Sequence, residues 1–341
     1  MKTYTLNIKI LALLLAIIFY SCSKDQITVE KNSSTSWEID KKIIDEDIRS
    51  RIGNNFAKTL IYFEQKSINS EFIKIGDNIL GLHHQQVSIK IFLSKKYKED
   101  VKATLKLNSD KTQKYLWENK HIGFQILSEK DVTLSDTEIT IPAGELSKEV
   151  IVTLPQSLTS ANLVAVYDLT LNTQKDDLIV IPSRSDITLA LIETTNNLES
   201  SYQRTPERGT RIDGKTITAN FTRGGTRVSR FVDNNNYNYA TLNLVDYPDN
   251  GLNFDFGREV TITAIRFTPH HIFYQHLYAK ALKVLVDNQE IGNVAFENKA
   301  DSYMITLKKP MKLSSITMTD FVKADERANG VVFAEISFYE E

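Results

Sequence analysis

The sequence predicts an all-β protein built from two β-sandwiches, and three observations carry that prediction. Apolar and polar residues alternate with a period of two along many short segments in both halves of the chain. No long apolar pattern at helical spacing separates those segments, which argues against a parallel sheet with crossover helices. The 341 residues, 41% hydrophobic, suffice for two cores at roughly 150 residues per domain. With 41 basic against 43 acidic side chains, net −2, the chain lacks the excess positive charge that draws nucleic acid, and no nucleic-acid partner is expected. One cysteine excludes an intramolecular disulfide and a cysteine-built zinc site.

That cysteine sits at an informative place. Lys2 and Lys9 precede an apolar run from Ile10 to Tyr20, followed by Ser21-Cys22. A charged start, a short apolar stretch and a small residue before the cut describe a secretory signal peptide over 1–21. The run is too short to span a bilayer, which takes about 20 helical residues. Cysteine after a small residue resembles the bacterial lipobox, with Phe19 where leucine is usual and a bulky Tyr20 beside it. The resemblance implies lipidation of Cys22, a polar tether over 22–39, and an extracytoplasmic protein anchored to the bacterial outer membrane, on its surface or periplasmic face.

The first domain is placed at 40–195. Ile39, Ile43, Ile48 and Ile52 have loose helical spacing, enough for a short helix. Strands follow at Val87–Leu93, Val101–Leu107, Val150–Leu154 and Ile187–Leu191, each alternating apolar with polar. His83 and His84 read as a solvated loop pair; on a strand, adjacent residues would point to opposite faces and could not chelate one ion. Tyr115 and Trp117 read as core packing in preference to a sugar platform. The stretch 132–154 reads strand, Ile141-Pro142-Ala143-Gly144 turn, strand, with Ile61-Tyr62-Phe63 before it and Val166-Tyr167-Asp168-Leu169 after. It resembles the immunoglobulin-like N-terminal domain of unknown function found in lipoproteins of polysaccharide-utilisation systems, which implies a sandwich serving as a spacer.

A polar interruption at 196–204 reads as a linker, and a second domain spans 205–341, the size of a jelly-roll sandwich. Its alternating strands include Leu252–Phe256, Val260–Phe267, Leu282–Val286, Tyr303–Leu307 and Ile336–Phe338. Phe231-Val232-Asp233-Asn234-Asn235-Asn236 precedes Tyr239-Ala240-Thr241, then Phe254-Asp255-Phe256-Gly257, and Ala334-Glu335-Ile336 comes near the end. In that order these segments resemble the discoidin, or coagulation factor five/eight type C, galactose-binding-like family. Asn234 stands where the family has a loop glycine, and the usual tryptophan after that loop is missing. The resemblance implies a structural calcium held by Asp233, Asn236, Thr241 and Glu335, which suits the hard oxygens calcium takes. The competing reading is a loop in which Asp233 and Asn236 cap turns without metal.

The resemblance also implies a ligand on the loops at one end of the sandwich. Sugar capture needs aromatic faces and hydroxyl-binding polar groups. His270, His271, Tyr274, His276 and Tyr278 supply rings, while Arg327 and Asn329 sit on a second loop. Their histidine spacing does not fit a metalloprotease helix. Arg208, Arg211, Arg223, Arg227 and Arg230 form a basic cluster, read as a solvated face neutralised by nearby acids. No nucleophile elbow, P-loop or dinucleotide fingerprint occurs. The sequence therefore points to a non-catalytic, lipid-anchored glycan-binding protein; the alternative is an adhesin or assembly subunit that binds a protein partner in a surface complex.

Overall fold

The structure, a computed structural model, describes residues 58–119, 123–158, 160–173, 175–224, 227–270, 277–298 and 300–341. The expected signal peptide, lipidation site Cys22, tether and helix of residues 39–52 lie outside the described residues, as do His271, Tyr274 and His276. Residues Ala57–Glu341 form one compact unit.

Two sheets make the first sandwich. Its strands are β1 (Thr59–Phe63), β2 (Ser67–Ile75), β3 (Asn78–Leu82), β4 (Gln86–Leu93), β5 (Val101–Leu107), β6 (Gln125–Ile126), β7 (Thr133–Leu134), β8 (Glu138–Ile141), β9 (Ser147–Thr153), β10 (Leu163–Leu171), β11 (Leu178–Val180) and β12 (Asp186–Thr194). One sheet runs β11-β1-β4-β9-β7; the other runs β3-β2-β12-β10-β5-β8, with β6 beside β10. Ile61, Ile89, Ile91 and Val150 from the first sheet meet Phe72, Leu105, Ile139 and Leu189 from the second in one core. The strands expected from alternation are present, and the turn after β8 holds Gly144 at φ 82.

A helix not anticipated from the sequence, α1 (Ser109–Glu118), starts from an Asn108 cap whose side chain accepts from the Lys111 N–H. It is polar almost throughout, so it carries no apolar stripe to betray it; buried Thr112 fixes it to β10 by donating to Asn108 O and accepting from the Val166 N–H. Trp117 is 86% exposed on this helix, so it is not the core residue expected.

The second sandwich uses two long, bent strands. Its elements are β13 (Leu198–Ser201), β14 (Thr210–Arg211), β15 (Thr218–Phe221), β16 (Ala240–Asn243), β17 (Leu252–Pro269), β18 (Ala279–Val286), β19 (Gln289–Ala295), β20 (Tyr303–Lys323) and β21 (Gly330–Glu340). The start of β17 pairs with β15 and the later half of β20, which also pairs with β18. The end of β17 pairs with β21 and the early half of β20, which also pairs with β13. Register shifts in both long strands mark where they pass from one layer to the other, as bulges bend a sheet. Phe231, Phe254, Phe267, Phe333 and Phe338 fill the space between.

Residues 196–204 are not a free linker. Leu198–Ser201 is a strand on β20, and buried Asn197 donates from Nδ2 to Lys309 O while its Oδ1 accepts from the Lys309 N–H, each at 2.8 Å. The chain then straps the outer face of the second sandwich, where Arg266 donates to Arg204 O and Ser302 to Gln203 O. The two sandwiches also share apolar contacts. Phe72 of β2 enters the first core, whereas its neighbour Ile73, together with Ile75, is buried in the second.

Candidate functional site

Three loops meet at one end of the second sandwich: the segment between Val232 and β16, the junction from β17 to β18, and the approach to β21. Pairing of Thr241 with Val332 and of Pro269 with Phe333 brings their roots together. The Val332 N–H donates to Leu277 O, and the Ala324 N–H to Tyr278 O. The 233–239 loop is anchored by buried Phe231 and Val232 and shaped by its own side chains. Asp233 accepts from the Asn235 N–H and from Asn238 Nδ2, and Asn235 Oδ1 accepts from the Tyr237 N–H. Asn234 has φ 61, in the left-handed region. Asparagine tolerates that region better than most residues, so the loop adopts this turn without a glycine.

This loop turns Tyr237 outward, 84% exposed. Sequence reasoning missed it because it looked for rings after β17; the signal available was an aromatic among Asn residues that cannot form a core. Behind it, the Tyr239 and His270 rings lie 4.7 Å apart, with His270 buried. Tyr278 stacks on Tyr303 at 5.7 Å and packs against the core. His270 is thus buried, in place of the exposed role expected of it, while Tyr278 is half-buried. Arg327 is exposed and contacts Asp325 at 3.3 Å, while Asn329 is exposed and its carbonyl accepts from the Leu244 N–H.

Glu335 enters from β21 beneath the same loop with no solvent exposure. Oε1 accepts from the Arg211 guanidinium at 3.0 Å, which also donates to Asn234 Oδ1 at 2.9 Å. Oε2 is buried without a hydrogen-bond partner. Burial pushes the carboxyl up to about 7; Arg211 opposes the shift and the nearby Asp233 adds to it. Among the described residues no three His, Cys, Asp or Glu cluster as metal ligands, so an ion here would complete its shell with amide and backbone oxygens. The orphaned Oε2 beside Asp233 fits a hard cation. Of the residues expected to ligate, Asn236 and Thr241 are exposed, whereas Asp233 is half-buried and Glu335 fully buried.

The basic cluster is dispersed. Arg211 serves Glu335, Arg223 pairs with Asp249 at 2.7 Å, and Arg230 donates to Tyr239 O. The His83–His84 pair lies in a loop, as read from the sequence: it occupies a bend between β3 and β4, and the rings stack on one another at 3.8 Å.

A family model described as a "-like, N-terminal domain" matches residues 54–177, less than half of the chain. A two-domain protein of unknown function from Bacteroides fragilis is 20% identical, aligned over 86% of this chain and 99% of its own, with a TM-score of 0.44. A family 32 carbohydrate-binding module from Clostridium perfringens, solved with galactose, is 18% identical over 39% of this chain and 100% of its own, TM-score 0.34. An F5/8 type C domain from Bacteroides fragilis is 15% identical over 40% of this chain and 99% of its own, TM-score 0.34. No curated protein matches.

Proposed function

We propose that the protein is a non-catalytic glycan-binding protein that captures sugar at the loop end of its second sandwich. The observation that carries this reading is Tyr237, an aromatic face held out in solvent by a loop whose backbone is fixed from within. A pyranose presents an apolar C–H face to such a ring, and neighbouring amides and guanidinium groups bind its hydroxyls. Asn236 and Asn238 flank the ring in sequence; Arg327 and Asn329, on the approach to β21, are exposed polar side chains at this end.

Calcium belongs to the same proposal. Asp233 and Glu335 would hold the ion beneath the loop, where it would satisfy Glu335 Oε2 and stiffen the backbone that presents Tyr237. The extended reading places the protein at the bacterial outer membrane, anchored through Cys22, where tethering raises the effective concentration of a weak individual site.

A glycan array probed with the full chain identifies the sugar class. Tyr237→Ala is expected to weaken retention of that sugar about tenfold or more while leaving the melting temperature unchanged, because an exposed ring contributes little to folding. Equal retention by the variant would remove Tyr237 from the site. Silence across plant, host and microbial glycans would favour a protein partner. Cys22→Ser is expected to move the protein from the membrane fraction to the soluble fraction; persistence in membranes would overturn the anchor.

A further inference from the structure

A cavity lies where the two sandwiches meet, away from the loop end. It encloses about 470 Å³, within the range of small-ligand sites. Five pieces of chain line it: the His83–His84 bend of the first sandwich, Glu199 of β13, the strap at Pro206–Arg208, and β17 and β20 of the second sandwich at Thr263 and Thr306. It exists only while the sandwiches are packed together, and that packing is fixed by Ile73 and Ile75.

The charges around it are unevenly satisfied. Glu71 is engaged from two sides, by Lys308 Nζ at 2.6 Å and His83 Nδ1 at 3.5 Å. Arg208 has no such carboxylate. Among the described residues its guanidinium has one hydrogen-bond partner, the Leu307 carbonyl at 3.4 Å. Burial and the proximity of Arg208 lower the Lys309 ammonium. Burial and the neighbouring His83 lower the His84 imidazole, with Lys309 contributing in the same direction. Of the two cations that line the cavity, Lys308 is held by Glu71, and Arg208 is the one without a carboxylate partner among the described residues. Glu199 and Glu207, both exposed and in no ion pair among the described residues, stand on its rim as hydroxyl acceptors. The stacked imidazoles add a flat wall.

We infer that this inter-sandwich cavity binds a carboxylate-bearing saccharide, its acid group on Arg208 and its hydroxyls on Glu199, Glu207 and Thr306. A guanidinium grips a carboxylate through two parallel N–H bonds, which suits the unpaired Arg208. The site is independent of the loop-end reading and stands whether or not Tyr237 binds sugar.

The test is calorimetric titration of the full chain with digalacturonate, neutral digalactose and acetate, alongside NMR of the histidine ring protons. Digalacturonate is expected to bind and to shift the His83 and His84 resonances. Arg208→Gln should weaken that binding about tenfold or more, whereas Lys102→Gln, which removes an exposed cation from β5, should not. Absence of digalacturonate binding overturns the proposal. Equal binding of acetate reduces the site to a simple anion site and overturns the saccharide. Equal binding of digalactose, insensitive to Arg208→Gln, overturns the acidic class. Binding that leaves both histidines unshifted places the sugar elsewhere.

Discussion

Expressed alone, residues 205–341 should not melt cooperatively, although they contain most of the second sandwich. The fragment lacks β13, so the early half of β20 loses one of its two partner strands, and it lacks Asn197, which holds Lys309 by both backbone groups. It also lacks Ile73 and Ile75, which are buried in the core of that sandwich although they belong to the first. Cutting there leaves an apolar surface and an unpaired strand edge, the combination that promotes association. In the intact chain, Ile73→Ala should cost about 2–5 kcal/mol, as for other fully buried aliphatic truncations. Near-ultraviolet circular dichroism of fragment and full chain during heating is the measurement. A fragment that melts sharply at the temperature of the full chain would show that the sandwiches fold independently.

The second large effect concerns Glu335. Its carboxyl is pushed up to about 7 in the folded protein against 4.5 ordinarily, chiefly by burial, so between those values the folded state holds a proton that the unfolded state has released. Stability contributed by the protonated form is complete below about 4.5 and is lost as pH rises towards 7. The loss is on the order of 3 kcal/mol, at about 1.4 kcal/mol per pKa unit. A cation on Oε2 neutralises that penalty. In chelator, the melting temperature should therefore fall by several degrees between pH 5 and pH 7.5, and calcium should restore it at pH 7.5. Glu335→Gln should flatten the pH dependence and abolish the calcium response, since it keeps an acceptor for Arg211 but has no carboxyl to ionise. Identical melting of the wild type with calcium and with chelator at pH 7.5 would remove the ion from this site.

Both predictions depend on features unequally visible in the sequence. The strands around Val87–Leu93, Val101–Leu107 and Leu282–Val286 were legible because each has one face towards a core and one towards water, and a period of two records that difference. Helix α1 was not legible, because the burial of Thr112 leaves no apolar periodicity. The loop order from Asp233 to Glu335 was legible as a pattern of residue types. The orientation of each ring was not: Tyr237, Tyr239 and Tyr278 are chemically alike, and neighbouring strands decide which is solvated and which is packed.

By itself the sequence determined the class of the protein: β-strands throughout, two cores, and no net charge for nucleic acid. Tertiary structure alone decided how the halves are joined. Phe72 and Ile73 are consecutive apolar residues on opposite faces of β2, and alternation can assign them to two sides but cannot say that each side faces a core. The same holds for the cavity between the sandwiches, where His83 and Arg208 meet from segments distant in sequence. Local pattern records whether a face avoids water; which surface covers it is settled by packing between segments far apart in the chain.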